Sequence, residues 1–406
     1  MSRPLRTLLF SSLYPSSVRP GHGIFIETRL RELLSSGAVE TKVIAPVPWY
    51  YSTDPRHGDY ALMARTPLRE QYQGVDVLHP RYLLPPRVGM TIAPFSMALG
   101  AIGSIRQLIR DGFDFDLVDA HYFYPDGVAA ALIARWIGKP YVITARGSDL
   151  HLLPQYRLPR AMIKWAARNA SASIGVARAL VDVLAGWGLA SERLHVMRNG
   201  VDLQRFAPVD QTQARQQLAL QGAPILLSVG RLVELKGHHI AIEALREVLL
   251  AYPNAMLVLV GHGAERAALE ALAEQLGVSA HVFFAGARSN TELKTWYSAA
   301  DVLVLASSRE GWANVLLESM ACGTPVVVAM RTGGTPEVVQ DPVAGLLVDE
   351  RAAGPLAANV IGLLRHYPDR SAVRRYAQGF SWQATTDAQL DLFRQIVRGS
   401  TAWRGV

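Results

Sequence analysis

Twelve apolar runs of four to seven residues alternate along this chain with stretches of helix length, and that alternation restricts the possible folds more than any other feature. The runs fall at residues 5–10, 41–47, 115–121, 141–145, 172–176 and 194–197, then at 225–229, 256–260, 282–285, 302–305, 326–329 and 345–348. Most are rich in Val, Ile and Leu with no polar alternation, as in parallel strands buried on both faces. Helical patterns separate them, for example at 27–34, 128–136, 239–249, 265–276 and 315–321. Strand–helix repetition predicts an α/β fold with doubly wound parallel sheets. Open sheets rarely exceed about ten strands, so the twelve runs predict two sheets. The expected domains are residues 1–204 and 205–381, parted near the polar, Gln-rich stretch 205–223. Residues 382–406, amphipathic over 382–398, are expected to form a helix that crosses back onto the first domain.

Composition narrows the function classes. With 50% hydrophobic and 18% charged residues the chain can bury full cores, which excludes disorder as its main state. Its one cysteine, Cys322, excludes a disulfide scaffold, argues against a cysteine zinc cluster and reads as cytosolic. The N-terminal run is too short for a secretory signal. Residues 1–200 hold 23 Lys/Arg against 15 Asp/Glu, and residues 201–406 hold 18 against 19, giving the net charge of +7. The basic half suits nucleic acid, an anionic membrane or an anionic substrate. Nucleic acid is not expected as a partner, because neither aromatic–basic interleaving nor a helix-turn-helix pattern is found. Residues 88–105 carry no charge, but Pro94 and the small residues among them predict a buried or surface-lying helix rather than a membrane span. Arg157, Arg160, Lys164 and Arg168 share one helical face, which is either a membrane-surface contact or an ordinary solvated face.

Two loops carry the chemistry. In the first, a strand ends at Gly230 and is followed by Arg231 and Lys236 just before a helix. Two cations at a helix entry suit a diphosphate, although a solvated loop has the same pattern. In the second, Glu310 and Glu318 stand eight apart, one in a loop and one in the next helix. Gly311 follows the first glutamate, and the amides of Asn314, Val315 and Leu316 would form a free helix N-terminus that attracts phosphate. Carboxylates accept hydrogen bonds from sugar and ribose hydroxyls; Glu318 taken alone also reads as a solvated helical residue.

These loops, with Gly261 and Gly263 in Val260-Gly261-His262-Gly263, Phe284-Ala285-Gly286, Ala321-Cys322-Gly323-Thr324-Pro325 and Gly333-Gly334-Thr335-Pro336-Glu337, resemble the donor domain of family 4 retaining glycosyltransferases. The first half is similar more loosely, through Gly21-His22-Gly23, His121, Gly147-Ser148-Asp149 and Asn199-Gly200-Val201-Asp202. The resemblance implies the GT-B fold, two Rossmann-like domains facing across a cleft. It implies that Arg231 and Lys236 hold the donor diphosphate, Glu310 the transferred sugar and Glu318 the ribose, while the loop at Ala287–Arg288 meets the base through its backbone. Gly21 and Gly23 would let the first loop approach the phosphates. Where the family often has a histidine before Gly-x-Asp, this chain has Arg146, which is open to binding an anionic acceptor or to pairing with Asp149. His121 and His22 are then the acceptor-side histidines, and His121 the one expected to assist transfer.

The expected activity is retaining, metal-independent transfer from a UDP- or GDP-sugar to a glycan or lipid-linked glycan acceptor in bacterial surface-polysaccharide assembly. The expected setting is the inner face of the plasma membrane. The alternative is a soluble transferase acting on a free sugar or small metabolite. No metal or other cofactor is expected. Asp114-Phe115-Asp116, which resembles a metal-binding pattern, begins a strand and so lies at the wrong end for a ligand.

Overall fold

The computed structural model describes residues 3–85, 88–329 and 331–403, with side chains described through residue 399; Met1, Ser2 and the last three positions of the expected 382–406 segment lie outside. The chain divides into two compact units, Met1–Arg198 with Gln383–Val406, and Asn199–Trp382. The first crossing therefore falls just before Asn199-Gly200-Val201-Asp202 rather than after 204. The polar stretch 205–223 belongs wholly to the second unit, and its helix Gln211–Gln217 is capped by the Asp210 carboxylate.

The first unit contains β1 (Leu5–Phe10), β2 (Val39–Ile44), β3 (Val47–Pro48), β4 (Arg69–Tyr72), β5 (Val75–Leu78), β6 (Arg81–Tyr82), β7 (Leu117–His121), β8 (Tyr141–Ala145), β9 (Ala172–Gly175) and β10 (Leu194–Val196). Eight of these form one sheet in the order β10-β9-β8-β7-β1-β2-β5-β4, parallel except for the β4–β5 pair. That hairpin is absent from the expected strands. Its turn places Gln73 at φ 49° and Gly74 at φ 80°, the left-handed pair of a two-residue hairpin. Its exposed edge strand lacks the apolar run by which the other strands were found. The run expected at 41–47 divides into β2 and the start of β3, and the run expected from 115 pairs only from Leu117. The C-terminal helix, Trp382–Trp403, returns to this unit: Leu390, Leu392 and Phe393 pack with Leu33, Leu117, Val142 and Ile174. At about 25 cal/mol per Å² of apolar surface, such burial outweighs the loss of freedom in a helix that is amphipathic on its own.

The second unit contains β11 (Ile225–Val229), β12 (Met256–Val260), β13 (Val282–Gly286), β14 (Val302–Leu305), β15 (Val326–Ala329) and β16 (Gly345–Val348), all parallel in the order β13-β12-β11-β14-β15-β16. Helices such as His238–Ala251 and Ala353–Arg365 bury Leu245, Val248, Leu356 and Val360 against the sheet. Both sheets are thus Rossmann-like. In each, strand order reverses once, between β1 and β7 and between β11 and β14. Loops diverge there and leave a crevice at the strands' carboxyl ends.

Candidate active site

In the second unit the loops leaving β11 and β14 lie side by side at that reversal. Lys236 ends a single turn of 3-10 helix, and its Nζ donates to Glu310 Oε1 at 2.7 Å. The pair is only partly open, with side chains 25% and 10% exposed. Arg231 is exposed, and its guanidinium makes no hydrogen bond or ion pair with the described residues. Its carbonyl is held by His238 Nε2 at 3.1 Å. A carbonyl only accepts, so Nε2 carries the proton and Nδ1 takes the Ser228 hydroxyl, also at 3.1 Å. Burial pushes His238 down to about 4, so this anchor stays neutral at ordinary pH. Gly230 and Gly261 end neighbouring strands. A Cβ on Gly261, whose φ is +155°, would stand 1.8 Å from the Gly230 carbonyl oxygen, so only glycine permits this approach. Gly263 lies similarly against the Leu232 backbone.

Glu318, far from being a solvated helical residue, is held by the Tyr297 hydroxyl, which donates to it at 2.7 Å. Desolvation raises its carboxyl to about 7, while the Tyr297 bond and the Arg205 charge pull the other way. The expected open helix N-terminus needs correction. In helix Asn314–Ala321 the Asn314 amide donates to Trp312 O and the Leu316 amide to Ala313 O, both at 3.1 Å. Of the three expected amides, Val315 alone has no such bond. The Asn314 side chain accepts from Asn199 Nδ2 at 3.2 Å. Gly334 donates its amide to the Gly311 carbonyl at 3.1 Å, so the Gly333-Gly334 motif seats the Glu310 loop. Arg288 is exposed but turned into its own segment, donating to Ala285 O at 2.8 Å and lying 5.4 Å from the Trp296 ring centre.

In the first unit the loops after β1, β7 and β8 meet. Gly21 has open space around it. Gly23, at φ +58°, caps helix Ile24–Ser35, and a Cβ there would stand 1.8 Å from the Leu13 carbonyl oxygen. His22 Nδ1 lies 3.0 Å from the Arg19 guanidinium beside a polar recess of about 120 Å³ lined also by Ser12, Ser16 and His79.

Of the acceptor-side candidates, His121 and Asp149 are buried. His121 is 1% exposed. Its Nδ1 accepts from Arg146 Nη2 at 2.5 Å, and its Nε2 lies 3.3 Å from Asp119 Oδ2. Desolvation pushes it down to about 4, against the pull of Asp119. Its basic lone pair is thus occupied by the Arg146 guanidinium. The Arg146 guanidinium also lies over the Phe25 ring, 5.3 Å from its centre. Asp149 is fully buried and accepts backbone amides from Phe123 at 2.9 Å, Arg146 at 3.0 Å and Gly147 at 2.7 Å. It shapes the loop and touches no solvent.

Sequence reasoning missed the groups behind these. Asp119 also accepts from Gln389 of the C-terminal helix at 3.2 Å, and Gln389 accepts from the buried Arg29 at 2.9 Å. Asp126, fully buried and raised to about 7 by desolvation, accepts from the Ser12 amide and hydroxyl. A carboxylate inside an otherwise apolar strand, as in Leu117-Val118-Asp119-Ala120, was the available signal. Asp114 pairs with Lys139, and Asp116 with Arg3 at 2.6 Å. No cluster of His, Cys, Asp or Glu fit to hold a metal is found among the described residues.

Two Rossmann-like units whose loops present these motifs at strand carboxyl ends define a GT-B glycosyltransferase. Residues 56–205 match the profile of Glycosyltransferase Family 4, and residues 210–380 that of Glycosyl transferases group 1. The chain is 32% identical over 360 residues to a D-inositol 3-phosphate glycosyltransferase of Catenulispora acidiphila, covering 82% of this chain and 84% of that one. It is 33% identical to the protein of that name in Corynebacterium urealyticum, covering 72% and 75%. A match to the Segniliparus rotundus protein, 37% identical, spans only 48% of that relative's length. The chain therefore belongs to the group 1, family 4 glycosyltransferases. Sucrose-phosphate synthase from Thermosynechococcus elongatus shares its fold at a TM-score of 0.77 and 23% identity, covering 98% of this chain and all of that one. The relatives carry the name of a transferase for a phosphorylated polyol, not of the surface-polysaccharide type expected from sequence.

Proposed function

We propose that this glycosyltransferase moves a sugar from a UDP- or GDP-sugar to a small hydroxylated acceptor bearing an anionic group, with retention and without a metal. The observation that carries the donor reading is the arrangement at the β11–β14 reversal: an unpaired Arg231 beside Lys236 and Glu310. A diphosphate arriving there takes both cations, and Lys236 then releases Glu310 to the hydroxyls of the transferred sugar. Arg231 and Lys236 offset the charge that grows on the departing nucleotide, the role a metal would otherwise fill. The Glu318 carboxylate accepts the ribose hydroxyls. The acceptor hydroxyl attacks from the face the diphosphate leaves, and the diphosphate takes its proton. The names of the relatives and the basic residues 1–200 support a small anionic acceptor.

A second reading, a lipid-linked or glycan acceptor, is favoured by the exposed apolar surface of the first unit. The test screens UDP- and GDP-sugars for thermal stabilisation, then measures transfer to inositol phosphate and to a lipid-phosphate sugar, with and without a chelator. Stabilisation by a nucleotide sugar and chelator-resistant transfer to inositol phosphate are expected. Transfer to the lipid alone selects the second reading. A strict, reversible requirement for Mg²⁺ or Mn²⁺ overturns the metal-free mechanism.

A further inference from the structure

Of the nineteen large apolar side chains exposed among the described residues, fifteen lie in the first unit. Val88, Ile92, Phe95 and Leu99 form a stripe at helical spacing along helix Gly89–Arg110 and its start, with Phe95 47% and Leu99 67% exposed. The opposite face buries Ala93, Met97, Ala101 and Ile105. Beside the start of this helix opens a cavity of about 1170 Å³, lined by Trp49, Tyr51, Tyr60, Leu83, Met90 and Tyr124 among others. Trp49 and Tyr51 are 53% and 69% exposed at its mouth. Leu153 also lines it, in the turn that packs on helix Arg157–Asn169. That helix carries four cations and no carboxylate, and its exposed Arg157 and Arg160 have no acidic partner among the described residues. Of the carboxylates near the cavity mouth, Asp54 is taken by Arg56 and Asp59 remains in solvent.

We infer that the first unit docks on an anionic phospholipid bilayer through this face, and that the cavity receives a lipid acyl chain. Three features select a bilayer over a protein partner. The aromatic residues at the mouth are mostly Tyr and Trp, whose rings suit the headgroup level. The apolar stripe lies on a helix whose other face is locked into the fold. Gly89–Arg110 is long and apolar enough to cross a membrane, but crossing would strip Met97 and Ile105 from their core, so the helix lies in the interface. The unpaired arginines complement an anionic surface, each adding roughly fivefold to partitioning. The docking is independent of which acceptor is glycosylated.

The experiment is flotation of the full chain with vesicles of phosphatidylglycerol and phosphatidylcholine, together with quenching by lipids brominated on the acyl chain. Wild type is expected to float with the anionic vesicles, detach in 1 M salt and lose tryptophan fluorescence to the bromines. Trp49→Phe should lose most of that quenching while still floating. The exposed changes Phe95→Asp with Leu99→Asp should abolish flotation, and Arg157→Glu with Arg160→Glu should weaken it on the order of 30-fold or more. Melting temperature and nucleotide affinity, measured on every variant, should stay at wild-type values, so a misfolded variant or a failed donor reading shows separately. Failure to float, flotation untouched by the Asp changes, or quenching that survives Trp49→Phe overturns the inference. Dimerisation that the same Asp changes abolish, without vesicle binding, also overturns it and gives the face to a second copy of the chain.

Discussion

The loops at the two strand-order reversals hold their charges in opposite ways. The second presents them: Arg231 stands open, and Lys236 and Glu310 form a partly exposed pair. The first buries them: Arg29, Asp119, His121 and Asp149 are each under 4% exposed and bond one another, Gln389 or the backbone, with Asp119 Oδ1 alone left without a partner among the described residues. Charges left in solvent cost little to keep and are available to a ligand, whereas buried charges are stable only when fully partnered. The contrast separates charges open to a ligand from charges that hold the loops of the first unit together.

The sharpest way to break this comparison is to remove one charge from the buried set. Arg29→Ala strands Gln389 Oε1 and the Met197 carbonyl and removes a charge that favours the buried Asp119; it should cost about 3–5 kcal/mol of stability, read as a fall in melting temperature with nucleotide affinity retained in the folded fraction. Next, Arg231→Ala and Lys236→Ala should each slow transfer on the order of 100-fold or more with the melting temperature nearly unchanged. If these two unfold the protein instead, the open charges are structural after all. Glu318→Ala should then weaken nucleoside diphosphate binding, each lost charged hydrogen bond being worth about 1.5–3 kcal/mol, whereas Glu310→Ala should lower turnover at nearly constant nucleotide affinity. Calorimetry with the nucleotide alone separates them, and the reverse pattern would exchange their roles.

The smallest effects are in pH. Because the Glu318 carboxyl lies near 7 in the folded protein, above its unfolded value, the folded state binds the extra proton. Its contribution to stability therefore falls as pH rises from about 4.5 to 7. Glu318→Gln should gain stability relative to wild type between pH 5 and pH 8. His121 runs the other way. Its folded value, about 4, lies below the unfolded one, so stability is lost as pH falls from about 6.5 towards 4. His121→Asn should flatten that acid limb in thermal denaturation, and nucleotide binding should not follow it.

Residue type and local order alone determined a good deal of this protein. Runs such as 225–229, 256–260 and 326–329 are strands because Val, Ile and Leu without alternation are stable only when both faces are covered. The E-x7-E spacing put one carboxylate in a loop and the other on a helix, as the structure has them. Tertiary structure alone decided which groups meet. Lys236 reaches Glu310 across 74 positions and Arg29 reaches Gln389 across 360, since β14 inserts beside β11 and the last helix returns to the first sheet. Strand order of this kind leaves no periodicity in the chain to be read. The same holds for His121, whose residue type suggested a base: only the fold places it, buried, between Asp119 and Arg146, where desolvation lowers its basicity and the Arg146 guanidinium occupies its Nδ1 lone pair.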